Sequence, residues 1–202
     1  MEEAPDPVKF RESATKVLTE GLPAFLFDSL FYIRGTNSYV QAIGGDTDLS
    51  SNIHALRPAL TNQARPGEEA NREERIQRWV REFWLATAPM CGSTPYRQTL
   101  EHLKQMPSFE ERWRNLGSQF TEDAHQPAFW PYFFTRGDIG TFRVYTSSIF
   151  FPPFYYLREY VPVDEQAWER LKEVRSHGEP VVQFAPEHHW AAPRLEAVAG
   201  GA

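Results

Sequence analysis

The stretch GTFRVYTSSIFFPPFYYLREYVPV, residues 140–163, decides how the rest of the chain is read. Aromatic and β-branched residues dominate it, and such side chains fit a pleated, half-buried surface. Pro152 and Pro153 cannot donate to a strand ladder, so they divide the stretch into two strands. Alternation along the first puts Phe142, Val144, Thr146, Ser148 and Phe150 on one face, with Arg143, Tyr145, Ser147, Ile149 and Phe151 on the other. Neither face is purely polar. Just upstream, PAFWPYFF leads through the turn RGDIG into the same stretch, which predicts three antiparallel strands in a row.

Outward from these strands the pattern changes period. PAFLFDS at 23–29 and FYIRG at 31–35 are short β-prone runs with little between them, which predicts a hairpin, followed by a helix near Asn37 to Ile43. Residues 57–72 hold Pro, Gly, Asn and charge but few large apolar groups, and read as a loop. Asn71 with Glu74 then resembles a capping box ahead of Ile76, Trp79, Val80, Phe83 and Trp84, an apolar face at helical spacing that Pro89 ends. Thr94 and Pro95 open a helix with Leu100, Leu103 and Met106 inward. Ser108 with Glu111 opens another, presenting Phe109, Trp113 and Leu116 before Gly117 closes it. Asp164 caps a last helix in which Ala167, Trp168, Leu171 and Val174 point the same way. At the other end, Asp6 and Pro7 start a helix with Phe10, Ala14, Val17 and Leu18 on one stripe, ended by Gly21. Beyond Ser176 no period is sustained. The arrangement is α+β, one sheet packing helices on one face.

Composition limits the function. A 202-residue chain that is 41% hydrophobic can bury one core, or a core plus a ligand cavity. A net charge of -6 without a basic patch argues against nucleic-acid binding. No apolar run approaches a membrane span, and the acidic start lacks the regions of a signal peptide, so a cytoplasmic location is expected. Cys91 has no internal disulfide partner and no placed His to activate it. Of the histidines, only His188 and His189 are close, and adjacent side chains diverge, so no metal site is expected. IGGD lacks the spacing and the Lys of a phosphate loop.

The run LPAFLFDSLFYIRGTNSYVQAIGG, with Pro23, Ala24, Asp28 and Asn37, resembles the opening of the MmyB-like ligand-binding domain of XRE-family transcription regulators, a PAS-like module. MPSFEERWRNL, through Ser108, Phe109 and Trp113, is similar to that family's Ser-Pro-Glu-Phe and Trp helix. The stretch from GDIG through the last helix is similar to its closing strands. The likeness spans about residues 8–175. The family's Trp before the Asn is Thr36 here, the usual basic residue after it is Ser38, and the closing strands are richer in aromatics. The resemblance implies a PAS-like antiparallel sheet with a helical insert between the second and third strands. With the residue patterns above, this divides the chain into an N-terminal helix and linker over 1–20, a PAS-like ligand-binding domain over 21–175 and an irregular tail over 176–202. The resemblance also implies an apolar ligand such as a fatty acid, with the family's DNA-binding part missing here or on another chain.

Pockets are lined by hydrophobic and aromatic side chains with a few polar anchors. The expected wall is Phe25, Phe27, Trp79, Phe83, Trp84, Trp113, Phe133, Phe142, Val144 and Tyr156, with Arg97, Arg143 or Tyr145 as the anchor for a carboxylate head. Three functions follow. The first is a non-enzymatic sensor of an apolar small molecule, without a cofactor, acting on a partner regulator. The second is a ligand-free interaction or homodimerisation module using an aromatic sheet face. The third is a small enzyme on an apolar substrate, which requires a buried carboxyl with a perturbed pKa.

Overall fold

The computed structural model describes residues 7–45, 47–61, 72–106, 108–119, 129–150 and 155–186. Asp6, Asn71, Pro152 and Pro153, which carried capping and strand-break readings, lie outside them. The fold is α+β: a six-stranded antiparallel sheet with helices. Helix α1 (Pro7–Leu18) precedes strands β1 (Ala24–Asp28) and β2 (Ile33–Asn37), which pair antiparallel as the hairpin pattern predicts. A short 3-10 helix over Ser38–Ile43 follows, then α2 (Leu56–Thr61), α3 (Arg72–Thr87), α4 (Thr94–Lys104) and α5 (Phe109–Gln119). Strands β3 (Tyr132–Arg136), β4 (Gly140–Phe150) and β5 (Tyr155–Pro162) come next, then α6 (Glu165–Arg175) and β6 (Val182–Phe184). The strand order is β3-β4-β5-β1-β2-β6.

Local chemistry explains most of these boundaries. The β1–β2 turn is held by the Asp28 carboxylate, which accepts from the Leu30 and Tyr32 amides at 2.9 and 3.0 Å. Phe31 adopts a φ of 65° inside that turn while its ring is buried, so core packing offsets the strain of the left-handed region. Asp164 caps α6 by accepting from the Ala167 amide at 2.8 Å, and its other oxygen accepts from the Thr141 amide at 2.8 Å. One carboxylate thus ties the start of β4 to the start of α6. Gly140, at φ 86°, is required there, since a Cβ would sit 2.5 Å from both the Ala167 nitrogen and the Asp164 carboxylate.

Five expectations are corrected. Helices lie on both faces of the sheet and not on one: α1 packs Phe10, Ala14 and Leu18 on the face opposite α3. Part of the predicted loop is α2: Leu56 and Leu60, four residues apart, are both buried in the cluster that holds Ile76, Val80 and Phe83, and tertiary packing outweighs the weak local signal. Helix α5 runs on to Gln119 instead of closing at Gly117. Trp168 does not join the buried stripe of α6. It is 41% exposed, while Ala167, Leu171 and Val174 face inward at i, i+4 and i+7. Finally, the stretch expected to be irregular beyond Ser176 contributes β6, which pairs with the edge of β2. Three residues are too few to show alternation.

Cross-strand partners share a face, so the register assigns the two sides of the sheet. Phe25 pairs with Arg158 and Arg158 with Thr146; Tyr160 pairs with Val144, and Val144 with Tyr132. That face meets α3. On the opposite face Leu26 pairs with Leu157, and α1 covers both through Phe10, Ala14 and Leu18. Helix α3 packs Ile76, Val80 and Phe83 into a large cluster with Phe27, Phe31, Leu103, Phe109 and Tyr156. A second cluster groups Val40, Phe134, Phe142, Val144 and Tyr160, and Trp79 touches both. Each fully buried side chain of this kind contributes about 1.5–3 kcal/mol.

Candidate functional site

Three successive contacts of α3 with the sheet come from Arg75, Trp79 and Glu82, a stripe at i, i+4 and i+7 beside the purely apolar one. Glu82 forms an ion pair with Arg158 of β5, the two side chains only 2% and 1% exposed. The Arg158 Nε donates to the Thr146 hydroxyl at 3.0 Å. Its guanidinium lies between two rings, 4.7 Å from the centroid of Trp79 and 5.2 Å from that of Phe27. Two atoms of the pair have no hydrogen-bond partner: Nη1 of Arg158 and Oε1 of Glu82.

A second polar layer lies next to the pair. The Trp79 indole Nε1 donates to the Tyr132 hydroxyl at 2.5 Å, and the phenol of Tyr160 interacts with that of Tyr132. Burial pushes the Tyr132 phenol far above its ordinary range, so it remains a neutral hydroxyl. Burial also pushes the Glu82 carboxyl up, an effect that the Arg158 charge opposes. Outside this layer a cleft of about 300 Å³ is lined by Glu74, Arg75, Arg78, Pro131, Tyr132 and Phe133. The two guanidiniums of the cleft each stand over a ring, Arg78 at 5.3 Å from that of Tyr132, which lines the cleft, and Arg75 at 5.0 Å from that of Phe134, which does not. Tyr132 therefore belongs both to the cleft and to the buried centre.

The residues expected from the sequence divide between two faces. Phe25, Phe27, Phe142, Val144 and Tyr156 lie on the face toward α3, and Phe83 is fully buried in the cluster that holds Phe27 and Tyr156. Trp79, Trp84 and Trp113 are half-buried against the same cluster. Phe133 pairs with Arg143 on the opposite face and is 56% exposed; Arg143 stacks 5.1 Å over the ring of Tyr145 beside it. Arg97 is exposed on α4. Arg143 and Tyr145 thus share a face with Phe133 alone of the expected wall, away from the rings that face α3. The charges that do enter the aromatic interior here are Arg158 and Glu82, neither of them among the residues expected from the sequence. Alternation carried the signal: Arg158 sits between Tyr156 and Tyr160 on one face of a strand, and Glu82 lies three residues after Trp79 on a helix.

Two other features bear on chemistry. His54 is buried, its Nδ1 accepting from the Leu56 amide at 3.2 Å and its ring edge-on to Tyr32 and Phe83. Among the described residues no group of three or more His, Cys, Asp or Glu side chains is placed to hold a metal ion, and no helix is long and apolar enough to cross a membrane. In comparisons with known proteins, no family model matches this chain and no curated protein does.

Proposed function

We propose that this chain is a non-enzymatic, ligand-sensing module of PAS-like form. It takes an apolar small molecule with one polar end between α3 and the sheet. Its signal passes to transcription regulation through a DNA-binding part supplied elsewhere. The succession of two strands, a helical segment and three strands supports the PAS-like reading, because the family resemblance rests on that succession. The observation that carries the ligand reading is the incomplete bonding of Arg158 and Glu82 inside an aromatic interior. A buried donor or acceptor left unmade costs about 1–3 kcal/mol, and a ligand that completes it recovers that amount on binding. Rings supply the apolar wall around them, the combination that small-molecule sites use.

Sensing follows from which elements share the site. Glu82 and Trp79 belong to α3, Arg158 to β5 and Tyr132 to β3, so a molecule seated among them favours one placement of the helix on the sheet over others. Native mass spectrometry of the purified protein, followed by organic extraction, tests the reading. A bound apolar mass at about one per chain is expected; an apo mass that also takes up no member of a lipid panel overturns it. A second reading, a partner-docking surface, is favoured by Phe133 and Val163, 56% and 46% exposed at the β3–β5 end of the sheet.

A further inference from the structure

The buried pair specifies more than the presence of a polar end, and what it specifies rests on the ligand-sensing reading above. Arg158 has used Nε on Thr146 and Nη2 on Glu82, leaving Nη1 as a donor without an acceptor. Glu82 has used Oε2 on Arg158, leaving Oε1 as an acceptor without a donor. The pair is already balanced in charge. Among the described residues, Arg78 and Arg81 on α3 itself also act on Glu82, Arg75 of the same helix acts on Tyr160, and the strands present the phenols of Tyr132 and Tyr160. From the remaining neighbours of α3, Arg112 of α5 is paired with Glu73, and His54 packs its ring on Phe83.

We infer that the polar end read at this site is uncharged and offers one acceptor and one donor, as an alcohol or a primary carboxamide does, so that the ligand class is neutral long-chain alcohols or amides. A hydroxyl accepts from Nη1 and gives its own proton to Oε1. A carboxamide does the same with its carbonyl and its NH2. A carboxylate satisfies Nη1 only, has no proton for Oε1, and places a second negative charge beside Glu82 where water does not screen it. An ammonium satisfies Oε1 only and meets the Arg158 charge. Either charged head leaves one buried atom of the pair unmade.

The test compares octanol, octanamide and octanoate, which share one chain length, by calorimetric titration of the full chain at about pH 7, where the acid is ionised. Octanol and octanamide are expected to bind at least ~10-fold more tightly than octanoate. Glu82→Gln removes the competing negative charge and leaves Arg158 unbalanced, so the variant is expected to reverse the order and prefer octanoate. Arg143→Ala, on the opposite face, is expected to leave the order unchanged. Octanoate binding the natural chain as tightly as octanol overturns the head-group assignment alone and leaves the sensor reading standing. Binding of none of the three overturns both. If Glu82→Gln does not fold, the comparison on the natural chain decides by itself.

Discussion

At the scale of single residues, the chain places polar groups inside the core and holds each by specific partners. Asn37, at the end of β2, is fully buried. Its Nδ2 donates to the carbonyls of Leu18 and Leu22 at 2.7 and 2.6 Å, and its Oδ1 accepts from the Ala24 amide at 3.3 Å. It therefore clamps the end of α1 to the hairpin. The Glu82–Arg158 pair is a different case, because breaking a buried pair strands a charge, whereas removing both charges together often costs little. Glu82→Met and Arg158→Met are each expected to destabilise by about 3–5 kcal/mol, and the double variant to recover most of that loss. Denaturant unfolding of the three variants measures it; strictly additive losses would contradict the coupling.

His54 supplies the pH dependence. Burial, only partly offset by the backbone of Leu30, pushes its pKa from 6.5 down to about 3. The unfolded chain thus binds a proton that the folded chain refuses, so the stability that the neutral ring confers is complete above about pH 6.5 and is lost as pH falls toward 3. Between pH 7 and pH 5 the expected loss is about 2 kcal/mol, from about 1.4 kcal/mol per unit over about 1.5 units. His54→Phe is expected to flatten that slope in denaturant titrations, and an unchanged slope would contradict the assignment. None of these interior charges stood out in the sequence, because Arg, Glu and His are usually solvated. Their burial became visible only when register placed them.

At the scale of elements, legibility followed the length of the periodic signal. Helix α3, with two turns of apolar spacing, and β4, with its long alternation, were readable from residue types alone. The cap at Asp164 was also readable, since one carboxylate and one helix start suffice to define it. Helix α2 and strand β6 were not, because each owes its conformation to a neighbour. Strand β6 closes an edge: Ser38 donates to the Val181 carbonyl and Ala185 to that of Arg34, with Gln183 opposite Thr36 between them. Proline at an exposed but bonded position tests this contribution. Gln183→Pro removes an amide from the ladder and is expected to cost about 3 kcal/mol, while Gln183→Ala changes little. Thermal unfolding measures both, and equal melting temperatures for the two variants would contradict a structural β6.

At the scale of the molecule, the sheet divides its work between its faces. Helix α1 closes one side with an apolar contact, and α3 closes the other with aromatic rings surrounding an ion pair. The sequence announced the rings, the sheet and the helical segment. It did not announce which face each ring takes, because strand alternation alone leaves the direction of the helices open. Alternation separates Phe142 and Val144 from Arg143 and Tyr145; the packing adds that the first two face α3, that Phe133 lies with the second two, and that the buried guanidinium comes from β5. Photolabelling tests whether a ligand sits between α3 and the sheet: the protein is irradiated with an alkyl diazirine carrying a terminal hydroxyl, and the adducts are mapped by peptide mass spectrometry. Adducts are expected on the peptides of α3 and β5 around Trp79 and Arg158, competed away by octanol. Adducts confined to the outer face around Phe133 and Tyr145, or none above a probe-free background, would contradict that placement.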